Sequence, residues 1–375
     1  MKKVVSIVLN NFKNDSRVLK ENISLQNAGY DVIVVALHEE PLKEFDTVQN
    51  IPVHRIKLKS RKWSKNKVIQ LIKYFEFLYR VVPGYKDSDI VHCNDLNALP
   101  VGVLIKIFFN KEVKIVYDAH EYETEIDGLI GIRKSLTKKL EKYLIGYANK
   151  VITVSDSIAD EYVKLYNIDK PALVLNTPRY KEIVKQDFFR KSLGIDKYKI
   201  IFLYQGSLSS GRGIEILIET FTQMDDTKSV IVFMGYGEME EIIREASEKY
   251  ESIYFHPAVS PDVLLEYTGS ADFGISTIED SCLSYRYCLP NKMFEYLMAD
   301  VPIIVSNLPE MKKVIEKYNI GIVAKYNNPK SLIDAIEKAT KLDKQKLKKN
   351  IEKVKEIYNW EVQEKVLLGV YGELR

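Results

Sequence analysis

Cysteine is scarce in this chain of 375 residues, with single thiols at positions 93, 282 and 288. Thiols so few and so widely spaced cannot build a disulfide framework or a thiolate metal cage. Long hydrophobic runs are also missing: no stretch reaches the roughly 18 consecutive apolar residues that a membrane-spanning helix needs. The charges nearly cancel, with 55 Lys and Arg against 52 Asp and Glu, which argues against a dedicated nucleic-acid binder.

The remaining composition is that of a globular protein, with 46% hydrophobic and 29% charged residues. The first apolar segment is short and no small-residue cleavage site follows it, so we expect no secretory signal. At about 100–200 residues per domain, the length predicts two domains. We therefore expect a reduced, cytoplasmic, two-domain protein.

Short β-branched runs alternate with amphipathic stretches along most of the chain, which predicts βαβ units on parallel sheets. Strands are predicted at residues 3–9, 31–36, 89–92, 113–117, 151–154 and 172–175, and again at 200–204, 230–234, 253–255, 273–276, 303–305 and 322–324. The turn signal at Asn176-Thr177-Pro178 separates the two series. We place one domain at residues 1–180, a second at 195–355, and a terminal helix at 356–375.

Ligands of open α/β sheets bind outside the carboxyl ends of the strands, so the loops there are the first candidates for a site. One such loop reads GSLSSGRG and leads into a predicted helix. Its glycines allow close backbone approach, and Arg212 can grip a diphosphate with two parallel hydrogen bonds. The alternative is a connecting loop with a solvated arginine, because glycine loops are common.

A second candidate is the segment LPNKMFEYLMADVPIIVS, in which Pro290 suits the start of a helix. Glu295 then lies about one turn into that helix, where a carboxylate can accept both hydroxyls of a ribose. The alternative role for Glu295 is to complement the positive end of the helix dipole.

The loop Asp118-Ala119-His120-Glu121 follows another predicted strand, and His92 and Asp95 lie at a similar place. A histidine at a strand end can donate to a sugar hydroxyl or a phosphate oxygen, although a purely structural histidine is as plausible. The sequence contains no HExxH, no paired CxxC and no EF-hand loop. We therefore expect no metal site.

Two stretches are rich in basic residues. From Arg55 to Lys67 there are seven Lys and Arg and no acidic residue, and from Arg133 to Lys150 there are six against one Glu. The first runs into an aromatic amphipathic segment that contains Phe75 and Phe77. Basic amphipathic helices of this kind suit an anionic membrane surface, although a solvated basic face is an equal alternative.

Taken together, these segments resemble the retaining glycosyltransferases of family 4, which have the GT-B fold. The resemblance extends over most of the chain. It comprises NDSRVLKENISLQNAGYDVIVVA, YDAHEYE, VITVSDSIADEY, LVLNTP, GSLSSGRGIEILIE, MGYGEMEEII, LPNKMFEYLMADVPIIVS and YNWEVQEKVLLGVYGEL. The first and the seventh are specific in combination.

The resemblance implies an α/β fold of two Rossmann-like, doubly wound parallel-sheet domains that face a central cleft. In that fold the N-terminal domain binds the acceptor and the C-terminal domain binds a nucleotide-sugar. The final helix crosses back to the N-terminal domain.

The resemblance also assigns residues. His120 and Arg212 would be catalytic, contacting the transferred sugar and the leaving diphosphate. The donor-binding residues would be Gly206, Ser207, Gly211, Arg212, Gly235, Cys288, Leu289, Pro290, Asn291, Lys292 and Glu295. The acceptor-side residues would be Asp15, Arg17, Asp95 and Glu121.

Two positions depart from the family pattern. The first Glu of the family's Glu-x₇-Glu motif is replaced by Tyr287, which leaves the sugar undetermined; Glu279 or Asp280 are candidates to replace it. The arginine that often follows the loop glycine is replaced by Ser207, which leaves Arg212 and Lys292 as the positive groups for the diphosphate.

The expected activity is transfer of a sugar from a nucleotide-diphosphate-sugar to a glycan or lipid-linked acceptor, with retention and without a metal or other cofactor. Two alternatives have the same fold: a nucleotide-sugar 2-epimerase, and a non-catalytic partner subunit. The expected location is cytoplasmic, with peripheral binding to the inner face of the cell membrane.

Overall fold

A computed structural model describes residues 1–224 and 228–374 of the chain. The chain forms two compact units. The first comprises Met1–Val174 together with the C-terminal stretch that begins at Glu364, and the second comprises Leu175–Gln363.

The first unit is built on an eight-stranded sheet. Its strands are β1 (Lys3–Ile7), β2 (Asp31–Leu37), β3 (Phe45–Val48), β4 (Ile51–Ile56), β5 (Ile90–Asn94), β6 (Lys114–Ala119), β7 (Lys150–Thr153) and β8 (Ala172–Leu173). They are arranged in the order β3-β4-β2-β1-β5-β6-β7-β8, and every neighbouring pair is parallel except β3 and β4. The helices between them are α1 (Ser16–Asn27), α2 (Lys67–Gly84), α3 (Leu99–Phe108), α4 (Gly131–Ile145) and α5 (Asp156–Tyr166).

The second unit has a six-stranded, fully parallel sheet in the order β11-β10-β9-β12-β13-β14. Its strands are β9 (Ile200–Ser207), β10 (Ser229–Tyr236), β11 (Ile253–Pro257), β12 (Phe273–Ser276), β13 (Ile303–Ser306) and β14 (Gly321–Ala324). The helices are α6 (Phe188–Leu193), α7 (Ile214–Gln223), α8 (Glu240–Lys249), α9 (Leu264–Thr268), α10 (Leu283–Arg286), α11 (Asn291–Met298), α12 (Pro309–Tyr318), α13 (Pro329–Thr340) and α14 (Lys344–Lys355), and α15 (Trp360–Gly372) ends the chain.

The central strand β10 of the second unit is buried on both faces, which explains its nearly continuous apolar run. In β10, Val230, Val232 and Met234 pack into one buried cluster, while Ile231 and Phe233 pack into a second. Alternate side chains of β10 therefore pack into hydrophobic cores on opposite faces of the sheet. Polar side chains that could bind a ligand must then come from the loops at the strand ends.

The two-sheet α/β architecture is confirmed, and all twelve predicted strands are present. The hairpin of β3 and β4 was not predicted. Gln49 and Asn50 form its two-residue turn with left-handed φ angles of 47° and 68°, without the glycine that usually marks such a turn. Pro52 is unusual within a strand, and β4 accommodates it where the edge strand β3 is its antiparallel neighbour.

Candidate functional site

The loop between β9 and α7 depends on glycine at defined points. Gly213 has φ of +75°, and a Cβ there would lie 2.0 Å from the carbonyl oxygen of Thr277. Gly235 pairs with Gly206 in the parallel register of β10 and β9, and a Cβ on Gly235 would lie 1.9 Å from the Gly206 carbonyl oxygen. Only glycine fits these contacts, so the two strand ends lie as close together as backbone allows.

Arg212 lies in this loop with its guanidinium stacked on an aromatic ring. Its Cζ atom is 4.7 Å from the centroid of the ring of Tyr285, which lies within α10. The Nε of Arg212 is buried and has no hydrogen-bond partner. A buried guanidinium N–H without a partner is costly, so the Nε of Arg212 is available to donate to an acceptor that a ligand brings.

Lys292 brings a second positive charge to the end of β9. Pro290 precedes α11 in extended conformation, and Lys292 lies in the first turn of that helix. Its Nζ is 3.7 Å from the centroid of the Tyr204 ring, close to Gly206. Burial, together with the nearby Arg212 cation, lowers the pKa of Lys292 to about 7.

Glu295 lies one turn further along α11 and is held by a relay of hydrogen bonds. The side-chain amide of Gln205 donates to the Glu295 carboxylate at 2.6 Å. The buried hydroxyl of Thr268 donates to the Gln205 carbonyl oxygen at 2.7 Å. This second bond fixes which end of the Gln205 amide faces Glu295, and so it orients the carboxylate.

The remaining donor-side residues surround the same strand ends. Cys288, Leu289, Pro290 and Asn291 form the half-buried turn into α11, apart from Asn291, which is exposed. The hydroxyl of Ser207 bonds the hydroxyl of Ser209 at 3.1 Å.

Arg286 binds Asp280 with two nitrogens, at 2.9 and 2.7 Å. Asp280 is therefore already engaged, which argues against it as the replacement for the missing glutamate at Tyr287.

In the first unit, Arg17 and Asp118 form a buried ion pair at the carboxyl end of β6. One guanidinium nitrogen lies 2.8 and 2.9 Å from the two Asp118 oxygens. Arg17 also donates to the carbonyl oxygen of Val174 at 2.7 Å, and its Nε lies 3.1 Å from Glu21. Because all these groups are buried, the Arg17 side chain does not reach solvent. It holds Asp118 and Glu21 in place.

His120 follows β6 and lies between two carboxylates. Its Nε2 is 3.2 Å from Asp118 and its Nδ1 is 3.4 Å from Asp95. Burial lowers the pKa of His120, but the carboxylates of Asp118 and Asp95 outweigh it and raise that pKa to about 9. The imidazole is therefore a cation at neutral pH. Both ring nitrogens face carboxylates, so His120 offers a positive charge, not a free N–H, to a phosphate or sugar oxygen.

The other two acceptor-side residues lie differently. Asp15 is the N-cap of α1: one carboxylate oxygen accepts from the backbone N–H of Val18 at 3.1 Å, and the other accepts from Asn10 at 2.8 Å. Glu121 is exposed next to His120. The structure thus brings Arg17, Asp95 and His120 together through Asp118, and assigns Asp15 a capping role.

Two residues of the cluster around Asp118, Glu21 and Tyr371, were not singled out from sequence. They meet at His92, which the sequence did single out: His92 contacts Asp118 at 3.5 Å, Glu21 at 3.7 Å, and the Tyr371 hydroxyl at 2.8 Å. The only local signal was the spacing of Glu21 four residues after Arg17 on one helix. The bonds to Asp118 and Tyr371 join distant parts of the chain, and no sequence pattern announces them.

Glu21, Asp118 and His120 also place three ligand atoms within 4.8 Å of one another, the arrangement of a small metal site. Both Asp118 oxygens, however, are hydrogen-bonded to Arg17. Burial, followed by repulsion from Asp118, raises the pKa of Glu21 to about 8, so this carboxyl is largely protonated at neutral pH. A neutral acid and an arginine-bound carboxylate make a poor cation site.

The expectation that no acidic residue neutralises the stretch from Arg55 to Lys67 is wrong for two of its residues. Arg55 is only 1% exposed and binds Asp46 at 2.7 Å. Lys57 binds Glu44 at 2.9 Å. These acidic partners lie on or just before β3 and come close only through the hairpin that the sequence did not reveal. In the second stretch, Lys134 and Lys138 both bind Glu125.

Apolar side chains are exposed on two helices of the same unit. Along α2 they are Val68, Leu71, Ile72, Phe75 and Tyr79, and along α4 they are Ile132, Leu136, Leu140 and Tyr143. Phe75 is 59% and Ile132 is 80% exposed, whereas Phe77 is 1% exposed and belongs to the core. Helix α3 contacts both α2 and α4. We call these exposed side chains of α2 and α4 the apolar face.

Two protein-family models match the chain. Residues 23–177 match the model for glycosyltransferase family 4, and residues 185–356 match the model for glycosyl transferases group 1. Together the matches extend over most of both domains. In the part of the chain that the structure describes, no helix is both long and apolar enough to cross a membrane.

Two relatives of the chain are glycosyltransferases by name. The chain is 23% identical to an uncharacterized glycosyltransferase of Methanocaldococcus jannaschii, over 83% of this chain and 80% of the relative. It is 20% identical to chitobiosyldiphosphodolichol beta-mannosyltransferase of Debaryomyces hansenii, over 90% of this chain and 79% of the relative.

Solved structures share the fold. Sucrose-phosphate synthase of Thermosynechococcus elongatus superposes with a TM-score of 0.83 at 16% identity, covering 100% of this chain and 99% of the other. HepE of Anabaena, in complex with UDP-glucose, superposes with a TM-score of 0.76 at 13% identity and covers 100% of both chains.

Proposed function

Because the chain is a glycosyltransferase with the GT-B fold, we propose that it transfers a sugar from a nucleotide-diphosphate-sugar to a glycan or lipid-linked acceptor with retention of configuration. The observation that carries this proposal is the group at the end of β9. There the Arg212 guanidinium, whose buried Nε has no hydrogen-bond partner, lies near the Lys292 amine, and Lys292 lies near Glu295, a carboxylate oriented by Gln205.

The donor fits this group part by part. Arg212, Lys292 and the N–H groups of the glycine loop would hold the diphosphate, since charged donors and a helix start favour an anion. Glu295 would accept the ribose hydroxyls. The fold neighbour HepE binds UDP-glucose, which supports a nucleotide-sugar as the ligand class.

The acceptor would bind to the first unit, near the His120 cation. A protonated imidazole flanked by Asp95 and Asp118 can position an acceptor hydroxyl or an acceptor phosphate. The name of the Debaryomyces relative describes a sugar acceptor linked through a diphosphate to dolichol. We extend that to a lipid-linked acceptor here.

In the proposed reaction the bond between the anomeric carbon and the donor phosphate breaks, and the acceptor oxygen bonds to that carbon from the same face. The acceptor proton passes to an oxygen of the departing phosphate. Negative charge grows on the diphosphate, so preorganised donors such as Arg212 supply most of the stabilisation.

The transfer should need no divalent ion. Arg212, Lys292 and the loop N–H groups supply the positive potential that magnesium or manganese provides in other phosphate sites. We expect activity within about twofold of its initial value after treatment with EDTA, a difference of well under 1 kcal/mol. Loss of transfer in EDTA that added magnesium or manganese restores would contradict this.

We also propose that the first unit docks on anionic membranes through the apolar face. The side chains of α2 and α4 offer burial at the headgroup boundary, and exposed lysines beside them, Lys62, Lys65 and Lys67, add about 1 kcal/mol each near an anionic surface. Since Arg55 and Lys57 are paired, apolar burial replaces charge as the main contribution. A lipid-linked acceptor presents its hydroxyl at that surface.

Serine at Leu71, Phe75 and Tyr79 together should abolish co-sedimentation with phosphatidylserine vesicles while nucleotide-sugar binding persists. Added salt should weaken the wild-type interaction, because screening shortens the reach of the lysines to about 8 Å. The matched control replaces Val184 and Tyr198, two exposed apolar residues of the second unit, and should sediment as the wild type does. Absence of wild-type binding, or a triple variant that still binds, would overturn the proposal.

A thermal-shift panel tests the donor assignment. The panel contains UDP-glucose, UDP-galactose, UDP-N-acetylglucosamine, GDP-mannose and ADP-glucose, each compared with free glucose. A ligand that binds the native state raises the melting temperature according to its concentration and affinity. We expect a shift with at least one nucleotide-sugar and with its nucleoside diphosphate. No shift with any member would overturn the proposed function.

A further inference from the structure

Two cations lie at the end of β9, each stacked on an aromatic ring: Arg212 on Tyr285 and Lys292 on Tyr204. Among the residues that the structure describes, no carboxylate oxygen lies within ion-pair distance of either cation. An aromatic face offsets part of the cost of burying a cation, but less than a carboxylate does. If both groups were charged, the ligand-free site would therefore hold more positive charge than its surroundings balance.

The groups around Lys292 explain why Lys292, and not Arg212, loses its proton. On its own segment lie the Cys288 thiol and the Glu295 carboxylate, and the latter already accepts the hydrogen bond from Gln205. From the neighbouring loop comes Arg212, a like charge. An arginine does not lose its proton in a protein, whereas a partly buried lysine does so readily.

We propose that binding of the donor diphosphate draws one proton from solvent onto the Lys292 amine, so that the site holds one full cation when empty and two when occupied. This rests on the proposed function, since it assumes that the diphosphate binds here. The neutral amine of Lys292 takes up a proton and becomes an ammonium. The two negative charges of the donor diphosphate are then balanced by the positive charges of Lys292 and Arg212.

The direction of the pH dependence follows. With the pKa of Lys292 near 7 in the empty site, the amine is already protonated at about pH 6, and donor binding there takes up almost no proton. At about pH 8 the amine is mostly neutral, and binding takes up close to one proton. Above pH 7 the affinity for the donor should fall about tenfold per pH unit. The reason is that the donor binds the form with protonated Lys292, and the fraction of that form falls tenfold with each pH unit.

Titration calorimetry measures this uptake directly. The nucleotide-sugar with the largest shift in the thermal panel is titrated into the full chain at about pH 8, in HEPES and in Tris, whose ionisation enthalpies differ. Both phosphates of a nucleotide-sugar are esterified, so the ligand itself exchanges no phosphate proton. The dependence of the observed enthalpy on buffer enthalpy gives the number of protons, and we expect a value near one, falling towards zero at about pH 6.

The Lys292→Arg variant keeps its charge at every pH and should bind with no proton uptake at about pH 8. The matched control is Lys197→Arg, since Lys197 also lies over a tyrosine ring, at 4.9 Å, but on the surface; it should take up the same proton as the wild type. Melting curves establish that each variant is folded. The comparison of wild-type proton uptake at about pH 6 and pH 8 tests the inference even if a variant does not fold.

Wild-type binding without uptake at about pH 8 overturns the inference and leaves the proposed function intact, as does uptake that persists in Lys292→Arg. Failure of every nucleotide-sugar to bind overturns both.

Discussion

Replacing Arg212 with alanine is expected to lower kcat about 100-fold or more, with a much smaller effect on donor affinity. The guanidinium would meet the diphosphate as its negative charge grows, so its contribution is largest in the transition state. Removal of one preorganised charge-stabilising donor costs roughly 10²–10³ in kcat. The buried Nε that lacks a partner in the empty site is the structural basis for this expectation.

Arg244 provides a matched control for this variant. Its guanidinium also lies over an aromatic ring, 4.0 Å from the centroid of Phe255, but on the exposed helix α8. Arg244→Ala removes the same group and the same kind of stacking, and it should leave kcat unchanged. If Arg212→Ala keeps kcat within about threefold, which is under 1 kcal/mol, Arg212 does not bind the leaving group.

Glu295→Gln is expected to weaken binding of both the nucleotide-sugar and the free nucleoside diphosphate by about 10- to 100-fold. Hydrogen bonds from neutral hydroxyls to a charged acceptor contribute about 1.5–3 kcal/mol, and the ribose is present in substrate and product alike. Since this contact exists in both the ground and the transition state, kcat should change little. Calorimetry with the nucleoside diphosphate measures the effect.

The glutamine variant keeps the shape of the side chain, and Glu241→Gln on the exposed face of α8 serves as its control. Equal affinity of wild type and Glu295→Gln for the diphosphate would place Glu295 outside the nucleotide site. In that case the bond from Gln205 would be purely structural, and Gln205→Leu should likewise leave affinity unchanged.

Much of the fold is predictable because each strand of a parallel sheet carries its signal locally. A strand buried on both faces must be apolar throughout, as β10 is, and its neighbours in sequence must be amphipathic helices. The β3–β4 hairpin escaped because its signal was weak. Its edge strand is half-exposed, its turn lacks glycine, and Pro52 is unusual in a strand.

The candidate site was predictable where one loop carries it and not where distant segments meet. Gly206, Gly211 and Arg212 belong to one loop, and Lys292 and Glu295 belong to one helix start. The bond from Thr268 through Gln205 to Glu295 joins three segments, and the cluster of His92 and Tyr371 joins β5 to the last helix. Such pairs depend on tertiary packing, to which hydrophobic periodicity is blind.

Charge patterning misled in one instance for the same reason. The stretch from Arg55 to Lys67 is uniformly basic in sequence, yet Arg55 and Lys57 find Asp46 and Glu44 across the hairpin. A run of like charge along the chain does not fix the charge of the surface, because acidic partners arrive from elsewhere.

The product of the reaction tests the account most directly. The chain is incubated with the nucleotide-sugar that it binds and a lipid-diphosphate-linked sugar, and the product is analysed by mass spectrometry and proton NMR. We predict that the acceptor gains one sugar residue in the anomeric configuration of the donor, that nucleoside diphosphate is released in equal amount, and that Arg212→Ala forms little of either. A donor sugar altered at C2 without transfer would contradict the account, and a glycoside of the opposite configuration would contradict retention.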